Sequence, residues 1–120
     1  MNKYLNTEKD IHTRIYKFIL NCFRDVVKQI PNTIENTPIK QQLVSSLTSI
    51  GANDQEADAA GSRKDFVAKY IIVKKEAKET HYWLCFVRDS VMVKELIIDP
   101  YIAECKEILL IVSKIIENTR

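Results

Sequence analysis

The sequence predicts an all-α fold, an antiparallel up-down-up-down four-helix bundle built by a single domain over residues 1–120. Two glycines and three prolines in 120 residues are too few breakers for the turns of a β-sandwich or barrel, or for a glycine-rich phosphate loop. Hydrophobic residues make up 46% of the chain and charged residues 28%, so the chain can bury a core. Four amphipathic segments with capping signals then favour a bundle.

The first helix is predicted over residues 8–30. Thr7 followed by Asp10 resembles a capping box with a shorter acid, and Pro31 disfavours helix in the residue before it. Between them, apolar residues recur at helical spacing at Ile11, Ile15, Phe18, Cys22, Val26 and Ile30.

The second helix is predicted over residues 38–60. Thr37 can cap it, with Pro38 at the first helical position, and Gly61 can close it in the left-handed conformation. Its apolar positions are Ile39, Leu43, Leu47 and Ile50.

The third helix, residues 63–91, begins after Ser62 with Asp65 as a capping pair, and it carries the strongest periodic signal of the chain. Apolar or small residues alternate four and three apart at Phe66, Tyr70, Val73, Ala77, Thr80, Leu84, Val87 and Val91.

The fourth helix, residues 100–118, is predicted to begin at Asp99 and Pro100. It keeps the same spacing at Ile102, Cys105, Leu109, Val112 and Ile116.

Apolar residues also occur outside these four seams. In the third helix they are Val67, Ile71, Ile72, Trp83 and Phe86, and in the fourth Ile108, Ile111 and Ile115. Together with the seams, these residues give more apolar surface than the core of one four-helix bundle needs, and surplus apolar surface usually marks a subunit contact. We therefore expect a homo-oligomer; the alternative is that these side chains are singly exposed, which is common.

Sequence patterns typical of enzymes and membrane proteins are not evident. His81 and Cys85 are four apart on one predicted helix face, but two ligands do not make a metal site. Cys22, Cys85 and Cys105 lack paired spacing, so we expect reduced thiols and a cytoplasmic protein. The longest apolar run is far shorter than a membrane helix. We expect no enzyme activity, cofactor, metal, membrane contact or small-molecule substrate.

Basic residues are concentrated on the third helix, although the formal net charge of the chain is only +2. The candidates for binding RNA or DNA are Arg63, Lys64, Lys74, Lys75 and Lys78. The alternative is an ordinary solvated helix face with ion pairs such as Lys75 with Glu79.

Gly51 lies in the middle of the predicted second helix, where glycine costs roughly 1 kcal/mol relative to alanine. A kink or a close helix contact would account for it. The neighbouring polar residues Asn53 and Glu56 can then form buried or interfacial hydrogen bonds.

Several short motifs in the second and third helices occur in the same order as in a known family. They are Leu47-Thr48-Ser49-Ile50-Gly51-Ala52-Asn53, Glu56-Ala57, Ser62-Arg63-Lys64-Asp65-Phe66, Lys74-Lys75-Glu76-Ala77 and Glu79-Thr80-His81-Tyr82-Trp83-Leu84. Together they resemble the bacterial four-helix-bundle family encoded within intervening sequences of 23S ribosomal RNA genes. Accessory variability determinants of diversity-generating retroelements are related to it.

The resemblance implies an up-down protomer, commonly assembled as a ring-like homopentamer, with no established enzymatic activity. It implies packing or interface roles for Ser49, Gly51, Asn53, Glu56, Glu76, Glu79 and Tyr82. The retroelement relatives bind nucleic acid and a reverse transcriptase through a basic surface, which gives an alternative function for this chain. Many members carry paired arginines before the SI-x-AN motif, where this sequence has Ser45 and Ser46.

Overall fold

A computed structural model of the protein describes residues 3–120, with side chains from Ile11 onward. It contains four α-helices: α1 (Lys3–Asp25), α2 (Thr37–Asp58), α3 (Arg63–Asp89) and α4 (Glu95–Thr119). A short 3-10 helix, Val27–Gln29, follows α1, and no strand occurs in the described range. The helices pack side by side as a bundle that measures 46 × 23 × 20 Å.

Helices α2 and α3 form the most extensive helix pair of the bundle. Ser46 contacts Thr80, and Asp54 contacts Tyr70, so residue numbers rise along α2 as they fall along α3. The loop that joins them is short, which keeps consecutive helices adjacent.

Helix α4 packs on the other side of α3. The Cys105 thiol donates to the carbonyl of Ala77, and Arg88 near the end of α3 bonds Asp99 near the start of α4. Helix α1 completes the bundle between α2 and α4.

The predicted seams supply most of the core, but Val27, Ala57, Val93, Ile98 and Ile108 are buried as well. The expectation that Ile108 is surplus to the core was therefore wrong, and Val67, Trp83, Ile111 and Ile115 also pack against the core. Buried seam residues are Ile11, Ile15, Phe18, Cys22, Val26, Ile30, Leu43, Leu47, Ile50, Tyr70, Val73, Ala77, Thr80, Leu84, Val87, Cys105, Val112 and Ile116. Ile39, Phe66, Ile102 and Leu109 pack against this core from its edge. The 3.6-residue periodicity therefore located the core without knowledge of the tertiary contacts.

The two ends of α1 and the end of α2 differ from the predicted ones. Helix α1 starts before Thr7 and ends at Asp25 instead of residue 30. The side chains of Thr7 and Asp10, which were predicted to cap it, lie outside the described residues. The chain continues as the 3-10 turn, and Ile30 is extended at ψ 120°, as expected for the residue before Pro31. Helix α2 ends at Asp58, and Gly61 does not have a positive φ, so its predicted left-handed role is wrong.

The start of α3 follows its predicted signals, whereas the predicted cap of α2 is wrong. Thr37 is the first residue of α2, and Asn36 before it makes no side-chain cap hydrogen bond, although Pro38 does lie in the first turn. The Ser62 hydroxyl accepts a hydrogen bond from the Asp65 amide, 3.1 Å, which is the predicted cap of α3.

Among the residues that the structure describes, Val91 has a left-handed backbone conformation, at φ 63°. Helix α3 ends at Asp89, and the amides of Val91 and Met92 bond the carbonyls of Arg88 and Val87 in the pattern that terminates helices. Val91 is therefore 80% exposed, and its prediction as the last core position of α3 was wrong.

Pro100 lies inside α4 instead of starting it, because α4 begins at Glu95. A proline in this position cannot donate to the carbonyl of Leu96, four residues earlier. Leu96 is 89% exposed, so the interruption lies at the solvent-exposed start of α4.

Candidate functional site

A buried carboxylate connects three helices. Asp54 of α2 is 1% exposed, and the Tyr70 hydroxyl of α3 donates to its Oδ1 at 2.7 Å. Nδ1 of His12, from α1, lies 2.8 Å from both carboxylate oxygens. Nε2 of the same ring lies 3.3 Å from Oδ1 of Asp58. Since a carboxylate can only accept hydrogen bonds, His12 donates from Nδ1. Tyr70 and His12 together supply the hydrogen bonds that a buried carboxylate needs.

A second buried polar pair joins α2 to α3. The Thr80 hydroxyl donates to Oγ of Ser46 at 2.9 Å, and Ser46 donates to the carbonyl of Leu43 at 3.2 Å. Ser46 thus faces α3 and not solvent. One of the two positions where the family resemblance would place an arginine is internal in this chain.

The family motif on α2 makes contacts within the helix and across to its neighbours. Asn53 donates to both the carbonyl and the hydroxyl of Ser49, at 2.9 and 3.1 Å. Glu56 forms an ion pair with Lys69 of α3 at 2.9 Å. At Gly51 the side chain of Ile19 from α1 packs directly against α2, because a Cβ there would lie 2.8 Å from Cδ1 of Ile19.

The motif residues on α3 lie on its outer side. Glu76 is half-buried, and its pKa is raised by burial and by the charge of Glu79, with Lys75 opposing the change. Tyr82 packs edge-on against Trp83, with ring centroids 4.9 Å apart, and Glu79 accepts a 3.5 Å hydrogen bond from the Trp83 indole.

Four large apolar side chains are exposed on the same side of α3. We call them the outer α3 patch: Ile71 is 45% exposed, Ile72 36%, Tyr82 59% and Phe86 39%. Trp83 lies beside the patch and packs edge-on against Phe86, with centroids 6.0 Å apart. Nothing within the described part of the chain covers these side chains.

The five basic candidates on α3 are all exposed, and none has an ion-pair partner within 4 Å among side chains 11–120. The predicted alternative pairing of Lys75 with Glu79 does not occur. At about 100° per residue, Arg63, Lys74 and Lys78 lie within roughly 60° of one another on one flank of α3. Lys64 and Lys75 lie on the outer face, beside the outer α3 patch.

An open cleft at the start of α3 collects additional positive charge. Arg63, Lys64 and Val67 line it together with Arg120 from the end of α4, around a volume of about 560 Å³. The sequence did not indicate Arg120, because it lies far along the chain and only helix packing brings it near Arg63.

The thiol and imidazole groups do not gather into a metal centre. Sγ of Cys85 lies 3.9 Å from Nδ1 of His81, and the described residues hold no cluster of three His, Cys, Asp or Glu side chains suited to a metal. The pKa of His81 is lowered by burial and by the charges of Lys106 and Arg88. Burial raises the pKa of Cys22 and that of Cys105 to about 12, which makes both thiols poor nucleophiles.

The contact of α1 with α4 has a polar centre that sequence reasoning also missed. Arg14 makes a two-pronged ion pair with Glu104, with both nitrogen–oxygen distances 2.7 Å. The Tyr101 hydroxyl donates to Asp25, and burial and this carboxylate raise the pKa of Tyr101 to about 12. These groups pair across 90 and 76 residues of sequence, so no local pattern marks them.

Comparison with known proteins agrees with this architecture. Residues 7–114 match the family described as 23S rRNA-intervening sequence protein. The chain belongs to that family. A crystal structure from Bacteroides thetaiotaomicron, a protein of unknown function from the S23 ribosomal protein family, shares 30% identity and superposes with a TM-score of 0.80. The match covers 88% of this chain and 97% of that one.

No curated protein matched this chain. Within the described residues, none of the helices has an apolar stretch sufficient to span a bilayer.

Proposed function

We propose that this family member is a non-enzymatic, cytoplasmic protein that acts as a homo-oligomer of antiparallel up-down-up-down bundles. A ring-like pentamer is the assembly that the family resemblance implies. The observation that carries the proposal is the outer α3 patch, in which four large apolar side chains remain 36–59% exposed in the isolated chain. Large apolar side chains exposed on one helix face are costly in water and typical of subunit contacts.

Light scattering coupled to size exclusion tests the assembly. We expect a mass several times the 13.9 kDa of the chain at micromolar concentration. A species of 13.9 kDa over the whole concentration range would refute the proposal. Metal analysis tests the non-enzymatic part, since a stoichiometric transition metal bound at His81 and Cys85 would contradict it.

A second candidate function is RNA or DNA binding, with a reverse transcriptase as a further partner by family resemblance. It is supported by the exposed cations of α3 and by the cleft that adds Arg120 to Arg63 and Lys64. Phosphate contacts release counterions, so binding should weaken steeply with salt.

Fluorescence anisotropy with single-stranded RNA and duplex DNA at about 50 mM salt tests this candidate. Lys74→Ala should weaken binding and reduce the slope of log affinity against log salt by about 0.9. Lys17→Ala, an exposed lysine on α1, is the matched control and should leave the slope unchanged. No binding at this salt concentration would remove the candidate.

A further inference from the structure

Both nitrogens of the His12 ring lie against carboxylates of α2. Nδ1 is 2.8 Å from each oxygen of Asp54, and Nε2 is 3.3 Å from Oδ1 of Asp58. A neutral imidazole carries a proton on only one nitrogen, so in either tautomer a nitrogen lone pair would face a carboxylate. Imidazolium carries a proton on both nitrogens, and it is the form that fits this position.

The end of α2 has no positive charge of its own. Its last turn contains the acids Glu56 and Asp58 and no basic residue, and Asp54 lies one turn earlier. The carbonyl groups at the end of a helix favour a cation there. Other helices supply the cations: Lys69 of α3 pairs with Glu56 at 2.9 Å, and His12 of α1 lies between Asp54 and Asp58.

Burial increases the importance of the proton on His12. Asp54 is 1% exposed and the His12 side chain 12%, whereas Asp58 is 54% exposed. Tyr70 donates a hydrogen bond to the buried carboxylate but brings no positive charge. His12 is the ion-pair partner of Asp54 among the described side chains, so a neutral ring would leave a buried charge without a counter-charge.

The titratable groups around the ring come from several helices. From α2 they are the two carboxylates just described, and from α3 the hydroxyl of Tyr70, which donates to Asp54. On α1 the next turn carries Tyr16, which lines the same groove as the ring. Glu104 of α4 is paired with Arg14, about 200° around α1 from His12. The described charges that act on the ring directly are both negative, and they favour its protonated form.

The start of α1 is not packed tightly against α2. Helix α1 packs less extensively against its neighbours than α2 does against α3. A groove of about 610 Å³ lies between α1 and α2, and its lining includes His12, Tyr16, Gly51 and Asp54. With this groove beside it, the His12 contact is a main attachment of the start of α1 to the end of α2.

We infer that His12 is a proton-dependent clasp between α1 and α2. As imidazolium it fastens the start of α1 to the end of α2, and loss of its proton weakens this attachment, so that the start of α1 opens from the bundle more often. Opening brings Ile11 and Ile15, 3% and 1% exposed in the closed bundle, into contact with water. The fold thereby contains a switch that responds to pH.

The direction of the pH dependence follows from linkage. A histidine that gains carboxylate partners on folding binds its proton more tightly than in the unfolded chain, where its pKa is about 6.5. The contribution of His12 is therefore fully present below about pH 6.5, while the carboxylates stay ionised, and is lost as the pH rises through the pKa of the folded protein. Each unit between these two pKa values changes the docking equilibrium of α1 by about tenfold.

Nitrogen-15 NMR of the histidine rings tests the protonation state. At about pH 7 both nitrogens of His12 should carry protons, and its pKa should lie about one unit or more above the ordinary 6.5. His81 in the same sample is the internal control, since its pKa is lowered, mainly by burial. Asp58→Asn should lower the pKa of His12 by about 0.5–1 unit, whereas Glu95→Gln, at an exposed acid at the start of α4, should leave it unchanged. A singly protonated ring at this pH, or a pKa that Asp58→Asn does not change, overturns the inference.

Hydrogen exchange followed by mass spectrometry tests the opening of α1. Protection factors, corrected for the intrinsic exchange rate at each pH, should fall about tenfold in the first half of α1 between about pH 6 and about pH 8.5. Those of α3 should stay constant. His12→Gln, which cannot carry the charge, should show the lower protection of α1 at both pH values.

The wild-type protein alone decides this experiment, whether or not the variant folds. Equal protection of α1 at the two pH values overturns the clasp even if the ring is protonated. A loss of protection that is equally large in α3 also overturns it, because the whole bundle would then be opening instead of α1.

Discussion

Gly51 offers a test of how closely α1 and α2 are packed. Replacing a helical glycine by alanine normally stabilises the fold by about 1 kcal/mol. Here the added Cβ would lie 2.8 Å from Cδ1 of Ile19, about 1 Å inside a normal carbon–carbon contact. Because Cδ1 is the far end of a flexible side chain, Ile19 can turn aside at the cost of an unfavourable rotamer, about 0.5–1.5 kcal/mol. We therefore expect Gly51→Ala to leave the free energy of unfolding within about 0.5 kcal/mol of the wild-type value.

The stabilisation by alanine should return when the clashing methyl group is removed. Ile19→Val deletes Cδ1, and in that background Gly51→Ala should stabilise the protein by about 1 kcal/mol. The double-mutant cycle then gives a coupling energy of about 1 kcal/mol between the two sites. Urea denaturation followed by far-UV circular dichroism, at one fixed protein concentration, measures all four free energies.

Gly61→Ala is the matched control, because a Cβ at Gly61 would meet nothing within 4 Å and its φ is not positive. It should stabilise the protein by about 0.4–1 kcal/mol in both backgrounds. A coupling energy below about 0.5 kcal/mol between Gly51 and Ile19, or full stabilisation by Gly51→Ala in the wild type, would refute the close contact.

Three further predictions concern single groups. Tyr70→Phe removes a hydrogen bond to a buried carboxylate and should lower the free energy of unfolding by about 1.5–3 kcal/mol in urea; no change would show that the bond is not formed. In the native protein, one thiol should react fast with Ellman's reagent at pH 8, that of half-buried Cys85. Burial raises the pKa values of Cys22 and Cys105 to about 12, so these two thiols should react slowly. Two fast-reacting thiols would contradict this burial. Val91→Gly should raise the free energy of unfolding by about 0.5–1 kcal/mol, because it removes the backbone strain of a valine at φ 63°. A lowered free energy of unfolding would mean that the valine side chain stabilises the fold by more than its backbone conformation costs.

The four helices and the core could be predicted from sequence because both follow from local periodicity. The roles of two helix breakers, Pro100 and Gly61, were predicted wrongly because those roles do not follow from local periodicity. Pro100 lies within the first two turns of α4, and Gly61 is a loop residue without a left-handed φ, while Val91 takes that conformation instead. Each of these outcomes depends on where solvent and neighbouring helices lie, which a local pattern does not contain.

The network at Asp54 was not predicted, because its partners lie 42 and 16 residues away in the chain. One sequence signal could have indicated it. Asp54 continues the apolar spacing of Leu47 and Ile50, so a carboxylate occupies a core position of α2. A buried charge requires partners, and a search of the neighbouring helices for donors at core positions would have led to Tyr70.

The two polar pairs between α2 and α3 also fix the register of that helical hairpin. Ser46 meets Thr80 and Asp54 meets Tyr70, whereas the apolar seam alone would fit nearly as well after a slip of one heptad. Such a slip would leave three hydroxyls and a carboxylate buried without these partners, at a cost of several kcal/mol. We expect α2 and α3 to move as one rigid body in any assembly.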